Sequence, residues 1–172
     1  MMADPSAYFL PESANADDFS SWCPLVPPHA RTICTNLFGD AFLVDANGVV
    51  HMLERGAASV QMIASSEDEF RRKIIDDGEG WQLRPLADRC RSVGKILGEG
   101  QCYAYTVLPV LGGDYIEENV WVAPWREWFG LTADIYGQIK DQPDGTPVRL
   151  TVGSDPKDLP SRSGFLRNIF RK

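Results

Sequence analysis

The chain has 172 residues, 44% hydrophobic and 24% charged, a composition that fits a globular domain and excludes a wholly disordered chain, a collagen or a coiled coil. Its formal charge of -7 and isoelectric point near 4.8 argue against direct binding to nucleic acid or anionic membranes, which needs clustered Lys and Arg. The start lacks a basic segment followed by an apolar core, and no apolar run reaches ~18 residues, so we expect a cytoplasmic protein.

The first 36 residues predict an irregular, Pro-rich lead-in. Five prolines fall in this stretch, and each restricts its own backbone angles and those of the residue before it. One short helix is compatible with the pattern at residues 14–22. The folded domain is predicted to follow, over residues 37–153.

Residues 41–64 predict a β-meander of three strands. The first two apolar runs flank a turn that contains Asp45 and Asn47, and the Asn-Gly pair there tolerates the positive φ of a tight hairpin. Asp45 and Asn47 also have the spacing of calcium ligands, but Val49 and Gly56 stand where two further ligands are needed. We therefore prefer a hairpin to a calcium site.

A first helix is predicted over residues 67–77. Ser66 and Glu69 have the S-x-x-E spacing of a capping box at its start. Phe70 and Ile74 are four residues apart, so they fall on one helical face. This face is expected to be buried.

A second helical pattern runs from Leu83 to Gly98. Its apolar residues recur at three and four positions, Pro85 fits the first turn, and Gly98 is the expected end. Gly98 and Gly100 do not make a dinucleotide loop, because Tyr103 stands at the third glycine and the pair follows a helix instead of preceding one. No nucleotide cofactor is expected.

A second hairpin and a third helix are predicted next. Residues 101–110 alternate aromatic with smaller side chains as a half-buried strand does, and residues 119–123 form the return strand. The glycine pair at 112–113 allows a sharp reversal between them. Pro124 suits the first turn of a helix whose apolar period continues to about Lys140.

Together these elements predict an α+β fold, with a single domain in which a mixed, mainly antiparallel sheet of about five to six strands packs against three helices. A last strand is predicted at residues 146–152, followed by a mobile basic tail at residues 154–172. Residues 157–172 hold five basic residues and one acid, so the other 156 residues carry 12 basic and 23 acidic residues, a charge of -11. This acidic body is expected to attract a basic partner.

No motif supplies a catalytic centre, a cofactor site or a metal site. The cysteines are far apart in sequence, the histidines have no second ligand at metal spacing, and no nucleophile motif occurs. These residues are Cys23, Cys34, Cys90, Cys102, His29 and His51. A Cys-His pair that assembles only in space would be the exception.

The acids Asp114, Glu117 and Glu118, beside the glycine pair, are the main candidates for a functional role. They fit a solvated turn, an acidic rim that binds a partner, or paired carboxylates that divide acid and base roles. Trp121, on the short return strand, is a candidate aromatic anchor. A solvated turn is the simplest interpretation, and among functional roles we favour partner binding by these four residues over an active site.

Three segments resemble the bacterial immunity-protein family that is paired with type VI secretion DNase effectors. They are NLFGDAFLVDANGVVHMLERGAASVQMIASSEDEFRRKI, LGEGQCYAYTVLPVLGGDYIEENVWV and QIKDQPDGTPVRLTV, and the similarity spans residues 37–152. The resemblance implies an α+β fold, no catalytic residue and no cofactor. It implies a cytoplasmic protein that neutralises a cognate, nuclease-like toxin by stoichiometric binding, and the acidic body predicts that this toxin is basic.

Two other functions stay open. One is a small hydrolase or ligand-binding enzyme that uses the clustered carboxylates near Tyr103 or Tyr105. A deep pocket that gathers the carboxylates, with one pKa strongly raised, would favour it. The other is a regulatory or scaffold module in which the basic tail contacts nucleic acid or a membrane.

Overall fold

The structure is a computed structural model, and it describes residues 4–12, 16–23 and 25–150. Within these residues, six strands form two antiparallel sheets. The first sheet has the order β1 (Arg31–Thr35), β2 (Ala41–Val44), β3 (Val50–Glu54) and β4 (Ser59–Ala64). The second pairs β5 (Gln101–Tyr105) with β6 (Val120–Pro124).

Three α-helices accompany the sheets: α1 (Glu67–Asp76), α2 (Arg84–Ser92) and α3 (Trp125–Ile139). Short 3₁₀ helices lie at Pro5–Tyr8, Ala16–Trp22, Pro109–Leu111 and Glu117–Asn119. The predicted α+β class, the strand number and the three helices are confirmed. The strands are divided between two sheets instead of being joined in one, and all their pairings are antiparallel.

Both faces of the first sheet are covered, as β2 shows. Every residue of this strand is buried. Because neighbouring strand residues point to opposite faces, Leu43 lies in the larger core with β5, β6 and α3, whereas Phe42 lies in a smaller core with Phe70 of α1. The Phe42 and Phe70 rings are 5.0 Å apart. A strand buried on both faces is therefore a continuous apolar run without alternation.

The segment before residue 36 is part of the same fold. β1, which the sequence pattern assigned to the irregular lead-in, pairs with β2 over its whole length. Trp22 is fully buried and stacks on Tyr136 of α3 with ring centroids 4.9 Å apart. Residues on both sides of position 36 therefore share the larger core.

The ends of the helices follow local chemistry. The Ser66 hydroxyl accepts the Glu69 N–H at 3.2 Å, which confirms the N-cap, while the Glu69 carboxylate bonds to Ser65. α2 ends at Ser92, not at Gly98, because Gly94 takes a positive φ of 84° and the Lys95 N–H bonds back to the Cys90 carbonyl.

Two other boundaries differ from the sequence prediction. Pro124 is the last residue of β6 and the N-cap of α3, with an extended ψ of 125°, so it precedes the first turn instead of entering it. Residues 146–150 form no strand, and the rest of that predicted strand lies outside the described residues. The predicted basic tail, 154–172, also lies outside them.

Candidate functional site

The three candidate acids belong to the segment that joins β5 to β6, and Trp121 follows it on β6. This β5–β6 connection, residues 106–119, is a compact loop with two 3₁₀ turns, so the predicted sharp reversal at Gly112–Gly113 is wrong. Gly112, with φ of 87°, only ends the first of these turns. Gly113 packs so closely on the chain that an added Cβ would lie 1.9 Å from the Val107 carbonyl oxygen. The loop is therefore folded back on its own beginning.

Asn119 fixes this folded loop. Its side-chain oxygen accepts the Val107 N–H at 2.9 Å, and its amide nitrogen donates to the carbonyls of Val107 and Asp114, each at 2.9 Å. One side chain thus replaces the backbone pairing that a regular hairpin would provide. It brings the two ends of the connection together and holds Asp114 in place.

Glu117 ties the connection to α2. Its carboxylate pairs with the Arg89 guanidinium at 2.9 Å, and the Lys95 amine donates to its backbone carbonyl. A hydrogen bond from its own backbone N–H and one from Arg89 lower the pKa of Glu117 below its ordinary value. Its charge is therefore engaged within the protein, and its main effect is to position the loop.

Asp114 and Glu118 differ from Glu117 because their side chains are exposed. Neither forms an ion pair with another described residue. Trp121 lies opposite Ala104 in the second sheet, is half-buried and packs against the larger core. The structure thus places the three acids on the connection and Trp121 on the adjoining strand β6, and it leaves only the charges of Asp114 and Glu118 facing solvent.

Sequence reasoning missed the two apolar residues between the acids. Tyr115 and Ile116 are both exposed, at 42% and 43%. The Tyr115 ring meets the Tyr105 ring edge-on with centroids 5.6 Å apart, and partial burial raises the pKa of Tyr115 to about 12. The signal was present in the sequence as DYIEE, an apolar pair within an acidic run.

The geometry does not favour acid-base catalysis by these carboxylates. The pKa of Glu117 is lowered, whereas a general acid needs a raised one. Of the tyrosines proposed to assist, Tyr103 donates its hydroxyl to the Lys95 carbonyl at 2.7 Å, and burial raises the pKa of Tyr105 far above its ordinary value. These hydroxyls are part of the core and not of an open site.

A buried carboxylate lies elsewhere, at Asp40. Burial raises its pKa to about 6, although hydrogen bonds oppose the shift. One oxygen accepts the Arg55 N–H at 2.9 Å and the other accepts the Asn36 amide at 3.1 Å. Both oxygens are occupied by the fold, so Asp40 stabilises the turn between β1 and β2 and offers no open position to a substrate.

The described residues offer no cluster for a metal ion, and burial disfavours thiol chemistry at Cys102. They contain no group of three or more His, Cys, Asp or Glu side chains placed to hold a metal ion. Asp45, the first candidate calcium ligand, accepts the Asn47 and Val49 N–H groups of its own hairpin and contacts His51 at 3.0 Å. Burial raises the pKa of Cys102 to about 12, which disfavours the reactive thiolate.

The fold is thus an α+β domain whose candidate site is a structured loop with exposed acidic and apolar side chains, the features of a protein-binding surface. Residues 64–136, which include this loop, match the family described as "T6SS immunity protein Tdi1, C-terminal". Over these residues the match confirms the resemblance to type VI secretion immunity proteins that was found in the sequence.

Comparisons with curated proteins and with solved structures do not identify a function for the chain. No curated protein matches the chain. A solved structure, "Crystal structure of Atu4351 from Agrobacterium tumefaciens", is similar with 16% sequence identity and a TM-score of 0.48. The similarity covers 67% of this chain and 59% of the Agrobacterium chain, so this chain spans less than two thirds of the length of that protein.

Among the described residues, none of the helices combines the length and the apolar composition that a membrane-spanning helix requires.

Proposed function

We propose that this chain is a cytoplasmic immunity protein that neutralises a cognate type VI secretion toxin by direct, stoichiometric binding. The observation that carries the proposal is the family match over residues 64–136. The β5–β6 connection supports it, because this loop lies within the matched segment and exposes acidic and apolar side chains. The cognate toxin is a DNase in this proposal, by analogy with the family that the sequence resembles.

Charge gives this proposal a physical mechanism. Residues 1–156 carry 12 basic and 23 acidic residues. A DNase binds phosphate through clustered Lys and Arg, so its substrate surface is basic. An acidic protein is attracted to that surface and competes there with DNA. Asp114 and Glu118 are the candidate contacts, since their carboxylates are exposed and have no described ion-pair partner.

The other two candidate residues act differently in this proposal. Glu117 holds the loop against α2 through Arg89, so its replacement would weaken binding indirectly. Trp121 would add apolar contact through the exposed part of its half-buried ring. The proposal requires no catalysis by the chain, since occupying the toxin is sufficient.

Co-expression tests the proposal directly. A candidate effector, taken from an adjacent reading frame that encodes a secreted nuclease-like protein, is induced in a sensitive host with the chain or with an empty vector, and survival is counted. Survival is expected only with the chain. Equal killing in both cultures would refute immunity for that pair.

Stopped-flow mixing with a catalytically inactive toxin tests the electrostatic part separately. The association rate is expected to fall about tenfold between about 50 and about 500 mM salt. A variant with Asp114→Asn and Glu118→Gln should show a weaker salt dependence. A rate that does not change with salt would refute steering but leave immunity standing.

A further inference from the structure

The exposed apolar side chains of this protein are unevenly distributed. Most large exposed hydrophobic residues in the described chain lie on two short segments, the end of α2 and the β5–β6 connection. We call this set the apolar face: Val93, Ile96, Tyr115 and Ile116. The other exposed ones are Val110, whose N–H bonds to the Gly56 carbonyl in the β3–β4 turn, Met62 on β4 and Ile75 on α1.

Hydrogen bonds join the two segments of the apolar face. Arg89 of α2 pairs with Glu117 at 2.9 Å and donates to the Tyr115 carbonyl at 3.3 Å. Lys95 donates to the Glu117 carbonyl and to the Val120 carbonyl. Because Lys95 lies between Val93 and Ile96 in sequence, these bonds hold the end of α2 beside the acidic end of the connection.

Folding alone does not explain why these residues are apolar. After α2 ends, Leu97 turns inward and packs against the larger core, but Ile96 stays 65% exposed. A side chain as exposed as Ile96 contributes little burial to the stability of the isolated chain. Single exposed apolar residues are common on protein surfaces, whereas apolar residues gathered on adjoining segments mark an interface.

The charges around the apolar face indicate the chemistry of the partner. Glu99, Asp114 and Glu118 are exposed and form no ion pair with a described residue. Of the nearby bases, Arg89 is neutralised by Glu117, and Lys95 donates to two backbone carbonyls and keeps one positive charge against the three acids. The charge left for a partner is therefore negative, and it complements a basic protein.

We propose that the apolar face is the centre of the toxin-binding surface, with Asp114 and Glu118 on its rim. The inference rests on the proposed function and commits to one occupant, the basic toxin. In this arrangement the apolar side chains are desolvated by the toxin and carry most of the affinity, while the rim acids accelerate association. The Arg89–Glu117 pair keeps the two halves of the face aligned before the toxin arrives.

Matched polar substitutions test the face without changing charge. The test variant is Ile96→Asn with Ile116→Asn. The control variant is Met62→Asn with Ile75→Asn, which changes residues of similar exposure, 66% for Met62 against 65% for Ile96, and 51% for Ile75. Thermal unfolding checks that both variants fold. Biolayer interferometry then measures binding to the immobilised, catalytically inactive form of the effector used in the co-expression test.

The test variant should raise the Kd at least about 100-fold, mainly through faster dissociation, and the control should stay within about threefold of the natural chain. Equal binding by the test variant and the natural chain would overturn the face but leave the proposed function intact. An equal loss in the control would also overturn it. If the natural chain itself does not bind, the proposed function fails for that pair.

Size-exclusion chromatography of the chain alone excludes a different occupant. The natural chain and the test variant should elute with the same mass. A natural dimer that the test variant converts to a monomer would mean that a second copy covers the apolar face, and the proposal would be wrong.

Discussion

Replacing Asn119 with alanine should open the β5–β6 connection. The Asn119 side chain makes three hydrogen bonds of 2.9 Å, two to the backbone of Val107 and one to the Asp114 carbonyl. Alanine removes all three while leaving the backbone and the exposed acids in place. The change therefore isolates the contribution of one amide to the shape of the loop.

The magnitude follows from the burial of these bonds. The two bonds to Val107 are partly buried, and each contributes about 1 kcal/mol net, whereas the exposed bond to Asp114 contributes less. We expect Asn119→Ala to lower the free energy of unfolding by about 2 to 3 kcal/mol. Glu118→Ala is the control, because this neighbouring side chain is exposed, and its effect should stay within about 0.5 kcal/mol.

Urea unfolding followed by tryptophan fluorescence measures both variants, and hydrogen exchange at the Val107 amide reports the loop alone. Exchange at this amide should be faster in Asn119→Ala and unchanged in Glu118→Ala. If the two variants unfold at the same urea concentration and exchange equally, the amide does not hold the loop and the reasoning is refuted.

Three further predictions concern the fold. Gly113→Ala should destabilise more than Gly112→Ala in urea unfolding, because the first puts a Cβ against the Val107 carbonyl and the second only strains a positive φ in open space; equal losses would contradict this. Ser66→Ala should lower the unfolding free energy by about 1 kcal/mol through loss of the N-cap, and an unchanged melting temperature would argue against the cap. Burial raises the pKa of Asp40 from 3.8 to about 6, so the folded chain binds this proton more tightly than the unfolded chain. This proton contributes up to about 3 kcal/mol to the free energy of unfolding. The contribution is complete below the unfolded pKa of 3.8 and is lost as the pH rises from there through about 6. An NMR titration of the Asp40 carboxyl should have its midpoint near 6, and a midpoint near the ordinary value would refute the shift.

Much of the fold was predictable where a local signal agrees with the tertiary contacts. The capping serine at position 66 and the spacing of Phe70 and Ile74 were sufficient for α1, because the same face is buried against the sheet. β1 was missed because its short Arg31–Thr35 sequence follows a proline-rich segment and becomes a strand only through its pairing with β2. Pairing between strands is a tertiary property that the strand itself does not encode.

The sequence predicted which residue types form the candidate site, but not how their side chains are arranged. The run of acids was visible, yet the sequence did not tell which acid is engaged, since the Arg89–Glu117 pair joins residues far apart in the chain. The exposure of Tyr115 and Ile116 was missed for a similar reason. It depends on a loop held by Asn119, where the two glycines had predicted a simple turn.

Lys95 also matters for the behaviour of the chain at high concentration. β6 is an edge strand, and an unpaired strand edge invites addition of a strand from another molecule and hence aggregation. At Val120 this opportunity is removed, because the carbonyl accepts the Lys95 amine at 2.6 Å and the N–H donates to the Glu117 carbonyl. At the other end of β6, Pro124 has no N–H to offer. Both ends of the β6 edge are thus closed to strand addition, which leaves only the middle of the strand open and favours recognition through the neighbouring side chains.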